Sequence, residues 1–172
     1  DRAIDAACAA SGIERRTVEV VTAGVQAAVS SESDALSLTD SLPGWPSVGA
    51  RARIESELGI AVVLENDVNL ATMAERAFGV AQQAGSFALL WLGVGLGVGV
   101  DLGGRIHRGA HGGAGEIGYL VVAGRSQRRG TVTTQLLGSD SILALVDAPE
   151  GTRYPEGIAA SRIMSRRCGR SR

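Results

Sequence analysis

With 172 residues, 45% of them hydrophobic but only 3% aromatic, the chain is long enough for one domain or parts of two, around a core of Val, Leu, Ile and Ala. A net charge of −1 argues against a nucleic-acid surface spread over the whole chain, and no apolar run reaches the ~18 residues that a membrane helix needs. Cys8 and Cys168 are too few and too far apart for a metal site or a disulfide framework, so with no secretory signal pattern the expected compartment is a reducing cytoplasm.

In chain order, Ile4 to Ser11 reads as the end of a helix with Gly12 as its stop. The chain opens without methionine and inside that helix, so its real beginning is expected upstream of Asp1. Val18 to Val25 has strand character, and Ser30 to Asp40 is polar and reads as a loop. After the punctuated turn Leu42-Pro43-Gly44-Trp45-Pro46, Ser47 is the expected N-cap of a helix through Leu58, ended by Gly59. Ile60 to Leu64 is a buried strand, and Glu65-Asn66-Asp67-Val68-Asn69 stands where it stops. Leu70 to Phe78 is a helix with Gly79 past its end. Tyr119 to Ala123 reads as a further strand, and Thr134 to Val146 includes a helix. Residues 151–172 carry six arginines against one acid, Glu156, with no aromatic residue interleaved over 162–172, and form an arginine-rich tail expected to be disordered or aberrant.

Between these elements, Leu92 to Tyr119 holds eleven of the chain's 24 glycines. Phe87 to Leu92 is a buried strand, after which Gly93, Gly95, Gly97 and Gly99 alternate with Val94, Leu96, Val98 and Val100. Period two leaves one strand face as bare backbone, against which a ligand or another chain segment is expected to lie. Asp101-Leu102-Gly103-Gly104 supplies a turn from which Arg105 to Arg108 returns as the second strand of a hairpin. A dinucleotide fingerprint needs a strand turning directly into a helix, so the glycine spacing excludes it. A P-loop needs a lysine, and all seventeen basic residues are arginine.

The motifs Glu-Asn-Asp-Val-Asn (65–69) and Arg-Gly-Ala-His-Gly-Gly-Ala-Gly-Glu-Ile-Gly-Tyr (108–119), in this order of elements, resemble the ROK family of repressors, open reading frames and sugar kinases. The resemblance covers roughly residues 15–148 and implies an α/β, actin-like ATPase (hexokinase/ribonuclease H-like) fold. The fold would be incomplete, with residues 1–66 as the end of the first lobe and 67–150 as the start of the second. It also implies a sugar ligand, a homo-oligomer in the full-length protein, and DNA contact only through an N-terminal helix-turn-helix outside this chain.

Phosphoryl transfer to a sugar hydroxyl needs positioning, charge stabilisation and a carboxylate to accept the hydroxyl proton. From the residues alone, Asp67 reads equally as a helix N-cap and as such a carboxylate at the end of a buried strand. The resemblance favours the second reading and assigns Asp67 the base role of a kinase, with Asn66 and Glu116 on the sugar hydroxyls. His111 is a further candidate contact, and Gly93, Gly95 and Gly97 would form the nucleotide-phosphate loop. Glu65 and Asn69 read equally as sugar contacts and as residues that cap and orient the helix at 68–78. His107, Arg105 and Arg108 read as solvated, and Met73 and Trp91 as core.

Three departures from the family pattern matter. Val94 stands where kinase members carry a threonine between two glycines, and valine cannot hydrogen-bond phosphate. Tyr119 stands where many members carry a zinc-binding histidine, and the cysteine cluster is missing, so no zinc is expected. Gly24-Val25-Gln26-Ala27 replaces a Gly-x-Pro-Gly turn. These changes point to the sugar-binding portion of a ROK-type transcriptional regulator, with no cofactor expected. The alternative is an ATP-dependent, glucokinase-like hexose kinase using ATP and Mg2+; a third reading is an inert fragment of either.

Overall fold

The computed structural model describes residues 2–30, 32–38, 42–122, 130–139 and 141. The chain divides into two compact units, Asp1–Asp67 and Val68–Arg172. The arginine-rich tail at 151–172, and the part of the last expected helix beyond Ser141, lie outside the described residues.

The first unit begins with helix α1 (Arg2–Ser11), closed as expected by Gly12 at φ +67°. Strand β1 (Val20–Val25) pairs in parallel with β4 (Ala61–Asn66), in the register Val20 to Ala61 through Val25 to Asn66. Helix α2 (Ala50–Leu58) makes the crossover and ends at Gly59, φ +67°. Its Glu55 accepts the Val62 N–H at 2.9 Å, which ties the helix to the strand that follows it. Val25, Ala27, Val29, Leu36, Ala50, Val62 and Leu64 form the core, with Ile54 and Leu58 of α2 packed against it. The aliphatic composition suits such a core, since β-branched residues fit the pleat and alanine lets α2 approach closely.

Two expectations for this unit need correction. The stretch from Ser30 to Asp40 is not simply a loop: β2 (Ala28–Val29) and β3 (Leu36–Ser37) form a short antiparallel hairpin. Ser30 and Ala35 are bonded across its turn at 2.9 Å, and Asp34 takes a φ of 52° that short polar side chains tolerate. Ser47 is not the N-cap of α2 either. Its carbonyl accepts the Leu36 N–H at 2.8 Å, holding it beside β3, and the helix starts three residues later behind Gly49 at φ +78°. Arg51 then reaches back from α2 to Asp34 at 2.6 Å, and these hydrogen bonds and the nearby charge raise its pKa above the ordinary guanidinium value.

Helix α3 (Asp67–Ala77) follows β4 without a linker, three residues earlier than its apolar periodicity suggests. The second unit carries an antiparallel sheet of β5 (Ser86–Leu92), β6 (Leu96–Leu102) and β7 (Arg105–Ile106). The glycine stretch therefore holds two reversals and not one. The chain already turns at Gly93-Val94-Gly95, so that Leu92 faces Leu96, and β6 turns again at Gly103-Gly104 into β7. A Gly-x-Gly turn and a Gly-x-Gly strand read identically at period two, which is why the first reversal is hidden in the sequence.

The bare face of β6 is covered by α3. A Cβ on Gly97 would lie 3.1 Å from the Val68 side chain, and one on Gly99 would overlap the Thr72 hydroxyl. One step further, Arg76 of α3 bonds Asp101 of β6. Residues four apart on the helix thus meet residues two apart on the strand. The steps match, at about 6 Å for four helical residues and about 6.7 Å for two strand residues, so the two elements run alongside in the same direction. The expectation that a chain segment or a ligand would fill this face resolves to a chain segment.

Of the strand expected at Tyr119 to Ala123, Tyr119 ends a single turn of 3₁₀ helix (Ile117–Tyr119) and Val121 makes one bridge to Val132, while Ala123 lies outside the described residues. Gly118 is buried where a side chain would collide with the Thr134 hydroxyl and the Leu96 carbonyl, so the close approach requires glycine. Helix α4 (Thr133–Leu137) is anchored by the Thr133 hydroxyl on the Leu120 carbonyl at 2.9 Å. Met73 and Trp91, read as core, are half-buried.

Candidate functional site

Parallel strands end together, and the carboxyl ends of β1 and β4 bring the turn at Gln26-Ala27 beside Asn66. Asn66 is buried at 9% exposure, and its side-chain amide donates to the Ala27 carbonyl at 3.1 Å. Its backbone N–H is bonded by the neighbouring Glu65 carboxylate at 3.0 Å, and that carboxylate is itself buried. Asn66 therefore has a structural task, holding the β1–β2 turn onto β4.

Asp67 is the first residue of α3 and is half-buried. The carboxyl end of a parallel strand followed by a helix N-terminus is where open α/β sheets bind ligands. Asn69, the last residue of the motif, is buried in the first turn of α3.

In the second unit, Glu116 lies half-buried just before the 3₁₀ turn. Its loop is docked on the outer edge of β6, where the Val98 N–H donates to the Gly115 carbonyl at 2.8 Å. A side chain at 115 would overlap the Val98 carbonyl, so this glycine is required by close approach. Glu116 thus follows the residue bonded to Val98 of β6, next along the strand from Gly97, on which Val68 rests. His111 is exposed further along the same loop; His107 and Arg105, the latter in β7, are exposed as well.

Of the three glycines expected in a phosphate loop, Gly93 and Gly95 belong to the turn, whereas Gly97 is buried in β6 beneath Val68. The turn closes through a hydrogen bond from the Gly93 N–H to the Gly95 carbonyl at 3.0 Å. Gly93 in turn accepts the Ser139 N–H, also at 3.0 Å. Val94 at its tip is 79% exposed, and the space around Gly95 is open. The central side chain of the turn, Val94, has no hydrogen-bond donor to offer.

The sequence reading missed one polar cluster. Arg76 Nε donates to Asp101 Oδ2 at 3.1 Å while Nη2 bonds Oδ1, and Nη1 reaches the carbonyls of Ala81 at 3.2 Å and of Ala84. The guanidinium also lies over the Phe87 ring, 5.1 Å from its centre. Asp101 is 1% exposed, and its Oδ1 accepts the Gly104 N–H at 2.9 Å. Burial would raise its pKa, but the hydrogen bonds from Arg76 and Gly104 together with the Arg76 charge outweigh burial and hold it below the ordinary carboxylate value. A signal was available: Asp101 interrupts the bare glycine face at the next even step, and Arg76 lies two helical turns beyond Val68.

A small open cavity of about 210 Å³, lined by Trp45, Ala50, Arg53, Ile54 and Glu57 among others, includes none of the expected site residues. Among the described residues no group of three or more His, Cys, Asp or Glu side chains is arranged to hold a metal ion. No helix among them is long and apolar enough to cross a membrane.

A sequence profile described as ROK family matches residues 3–135. The chain belongs to the ROK family. Its fold is accordingly the actin-like α/β fold of that family, present in part. The xylose repressor of Caldicellulosiruptor bescii is 29% identical over 99 residues, which cover 58% of this chain and 25% of the repressor. The glucokinase of Streptomyces coelicolor is 31% identical over 115 residues, covering 64% of this chain and 36% of the enzyme. The solved structure of a ROK family glucokinase from Streptomyces griseus, in complex with glucose and AMPPNP, superposes with a TM-score of 0.63 at 29% identity. That superposition covers 82% of this chain and 47% of the glucokinase chain. This ROK chain therefore spans about a quarter to a third of the length of these curated relatives, and both repressors and sugar kinases stand among them.

Proposed function

We propose that this chain is the sugar-binding portion of a ROK-family carbohydrate-responsive transcriptional regulator. Asn66, Asp67 and Glu116 would contact the sugar hydroxyls, with His111 at the margin. The observation that carries the reading is the turn between β5 and β6: its exposed central residue is Val94, with no hydroxyl to offer a phosphate, although the carboxylates suited to sugar hydroxyls are retained. Both curated relatives named above act on or respond to a sugar by name, which supports a sugar ligand for either branch. DNA reading would belong to a helix-turn-helix outside these residues, and the intact protein would be a homo-oligomer.

A sugar kinase is the second reading, favoured by Asp67 at the strand–helix junction, where a general base would accept the proton of a sugar hydroxyl. ATP phosphates would then be met by the backbone of the turn at Gly93 and Gly95, with Mg2+ supplying charge neutralisation. The two readings separate in one assay of the intact gene product. A regulator binds its sugar but shows negligible ATP-dependent phosphorylation of glucose, xylose or N-acetylglucosamine. Turnover in the ordinary kinase range, roughly 1–100 per second, makes the protein a kinase.

A further inference from the structure

The ladder between α3 and β6 ends in unlike rungs. Near the start of the helix, Val68 rests on Gly97 and Thr72 on Gly99, where β6 presents no side chain to interlock with. The Thr72 hydroxyl is spent on its own helix, donating to the Val68 carbonyl at 2.7 Å. Two rungs of smooth backbone limit how close the helix comes, but they offer little resistance to sliding along the strand. The third rung differs. The Arg76 guanidinium spans both Asp101 carboxylate oxygens and two carbonyls of the 81–84 turn, a fork geometry that fixes position along the helix axis as well as distance. Asp101 is itself fixed by the Gly104 N–H.

We propose that Arg76 and Asp101 are positioning residues for sugar binding: they lock the axial register of α3 on the glycine strand and so set where Asp67, the first residue of that helix, meets the ligand. This rests on the reading of Asp67 as a sugar contact. The two ends of the device lie nine residues apart on one helix, about 13 Å. At that separation substitutions ordinarily act independently. A merely structural Arg76 would weaken binding, if at all, to the same extent whether or not Asp67 is present. A latch acts through Asp67, and its effect disappears when Asp67 is removed.

The test is a double-mutant cycle on the intact gene product, using calorimetric titration with glucose, xylose and N-acetylglucosamine and circular dichroism to check folding. Arg76→Lys keeps the charge but cannot span both carboxylate oxygens and the two carbonyls. Expected are a loss of about tenfold in affinity for the best of the three sugars with Arg76→Lys, and no further loss when it is added to Asp67→Ala. Arg76→Lys binding as the parent does, or its loss adding in full to that of Asp67→Ala, overturns the latch while leaving the sugar site standing. Asp67→Ala binding as the parent does, or a parent that binds none of the three sugars, removes the site reading and the latch with it. Should Arg76→Lys fail to fold, the pair Arg76→Gln with Asp101→Asn removes both charges without stranding either. The same cycle run on that pair supports or overturns the latch by the same criteria.

Discussion

Arg76 and Asp101, 25 residues apart in the chain, form a bidentate ion pair beneath the glycine hairpin, and the carboxylate is almost fully withdrawn from water. A buried carboxylate is tolerable only while its partner is present. The sequence hides the pair, because neither residue is unusual in its own surroundings.

Acid should expose it. The Asp101 pKa is depressed in the folded protein, so its contribution is fully present above the unfolded value of about 3.9 and is lost as pH falls through the folded value. Thermal denaturation between pH 7 and pH 2.5 should show the parent losing stability below about pH 4. Asp101→Asn, already weaker at pH 7, should lose less over that acidic window. Parallel pH profiles for the two proteins would mean that Asp101 titrates alike folded and unfolded.

The glycines of the stretch should separate by position. Gly99→Ala drives a methyl group into Thr72 and against the Val68 carbonyl, an overpacking that costs about 1–3 kcal/mol. Gly95→Ala meets open space at a φ that is not left-handed, and should stay within about 0.5 kcal/mol of the parent. Denaturant midpoints measure both, and adding Thr72→Ala should recover part of the Gly99→Ala loss. Equal effects at 95 and 99 would refute the packing of α3 on β6.

Asn66 can be tested through the shape-conserving change Asn66→Asp. It sets a carboxylate oxygen against the Ala27 carbonyl where an N–H now donates, with both acceptors buried. A destabilisation of about 1–3 kcal/mol is expected from the lost donor. An unchanged midpoint in urea would show that the Asn66 amide does not hold the β1–β2 turn.

These relationships mark where the sequence was readable. The β4–α3 junction was visible because a β-branched run gives way to helical periodicity, and Asn66-Asp67 had to fall at the change. The bare face at Gly97 and Gly99 was visible as a period of two, but its occupant was not, since α3 arrives from about 27 residues upstream. Ser47 carries the side chain of a helix cap, yet its backbone is engaged by Leu36, and no local rule reports that bond. The β2–β3 hairpin has two residues per strand, too few to register as an alternation. Glu116 was singled out by its motif alone; the glycines before and after it make mechanical sense only once Val98 and Leu96 are seen pressing on them.

Metal content gives an independent check on the departures from the family pattern. The resemblance aligns Tyr119 with a zinc-binding histidine of many ROK members, an expectation from the sequence alone, and no cysteine occurs between Cys8 and Cys168. Purified protein should contain no stoichiometric zinc, and chelation should leave its thermal midpoint unchanged. About one zinc per chain by elemental analysis would show that the alignment of Tyr119 with that histidine is misplaced.

Sugar recognition is the property that the regulator and kinase readings share. An ionised carboxylate that accepts hydroxyl hydrogen bonds contributes roughly 1.5–3 kcal/mol more than no contact. At 1.4 kcal/mol per decade, Asp67→Ala or Glu116→Ala should each weaken binding about ten- to a hundredfold. His111 is exposed on its loop, so His111→Ala should cost much less. Asn66→Ala is a poorer probe, because it also releases the Ala27 carbonyl and confuses loss of fold with loss of ligand. Calorimetric titration of the first three variants against hexoses, xylose and N-acetylhexosamines, with folding checked by circular dichroism, measures each term. If Asp67→Ala and Glu116→Ala fold and bind the preferred sugar as the parent does, neither carboxylate touches it. Asp67 would then be a residue that merely favours the start of α3, and Glu116 one that shapes a glycine loop.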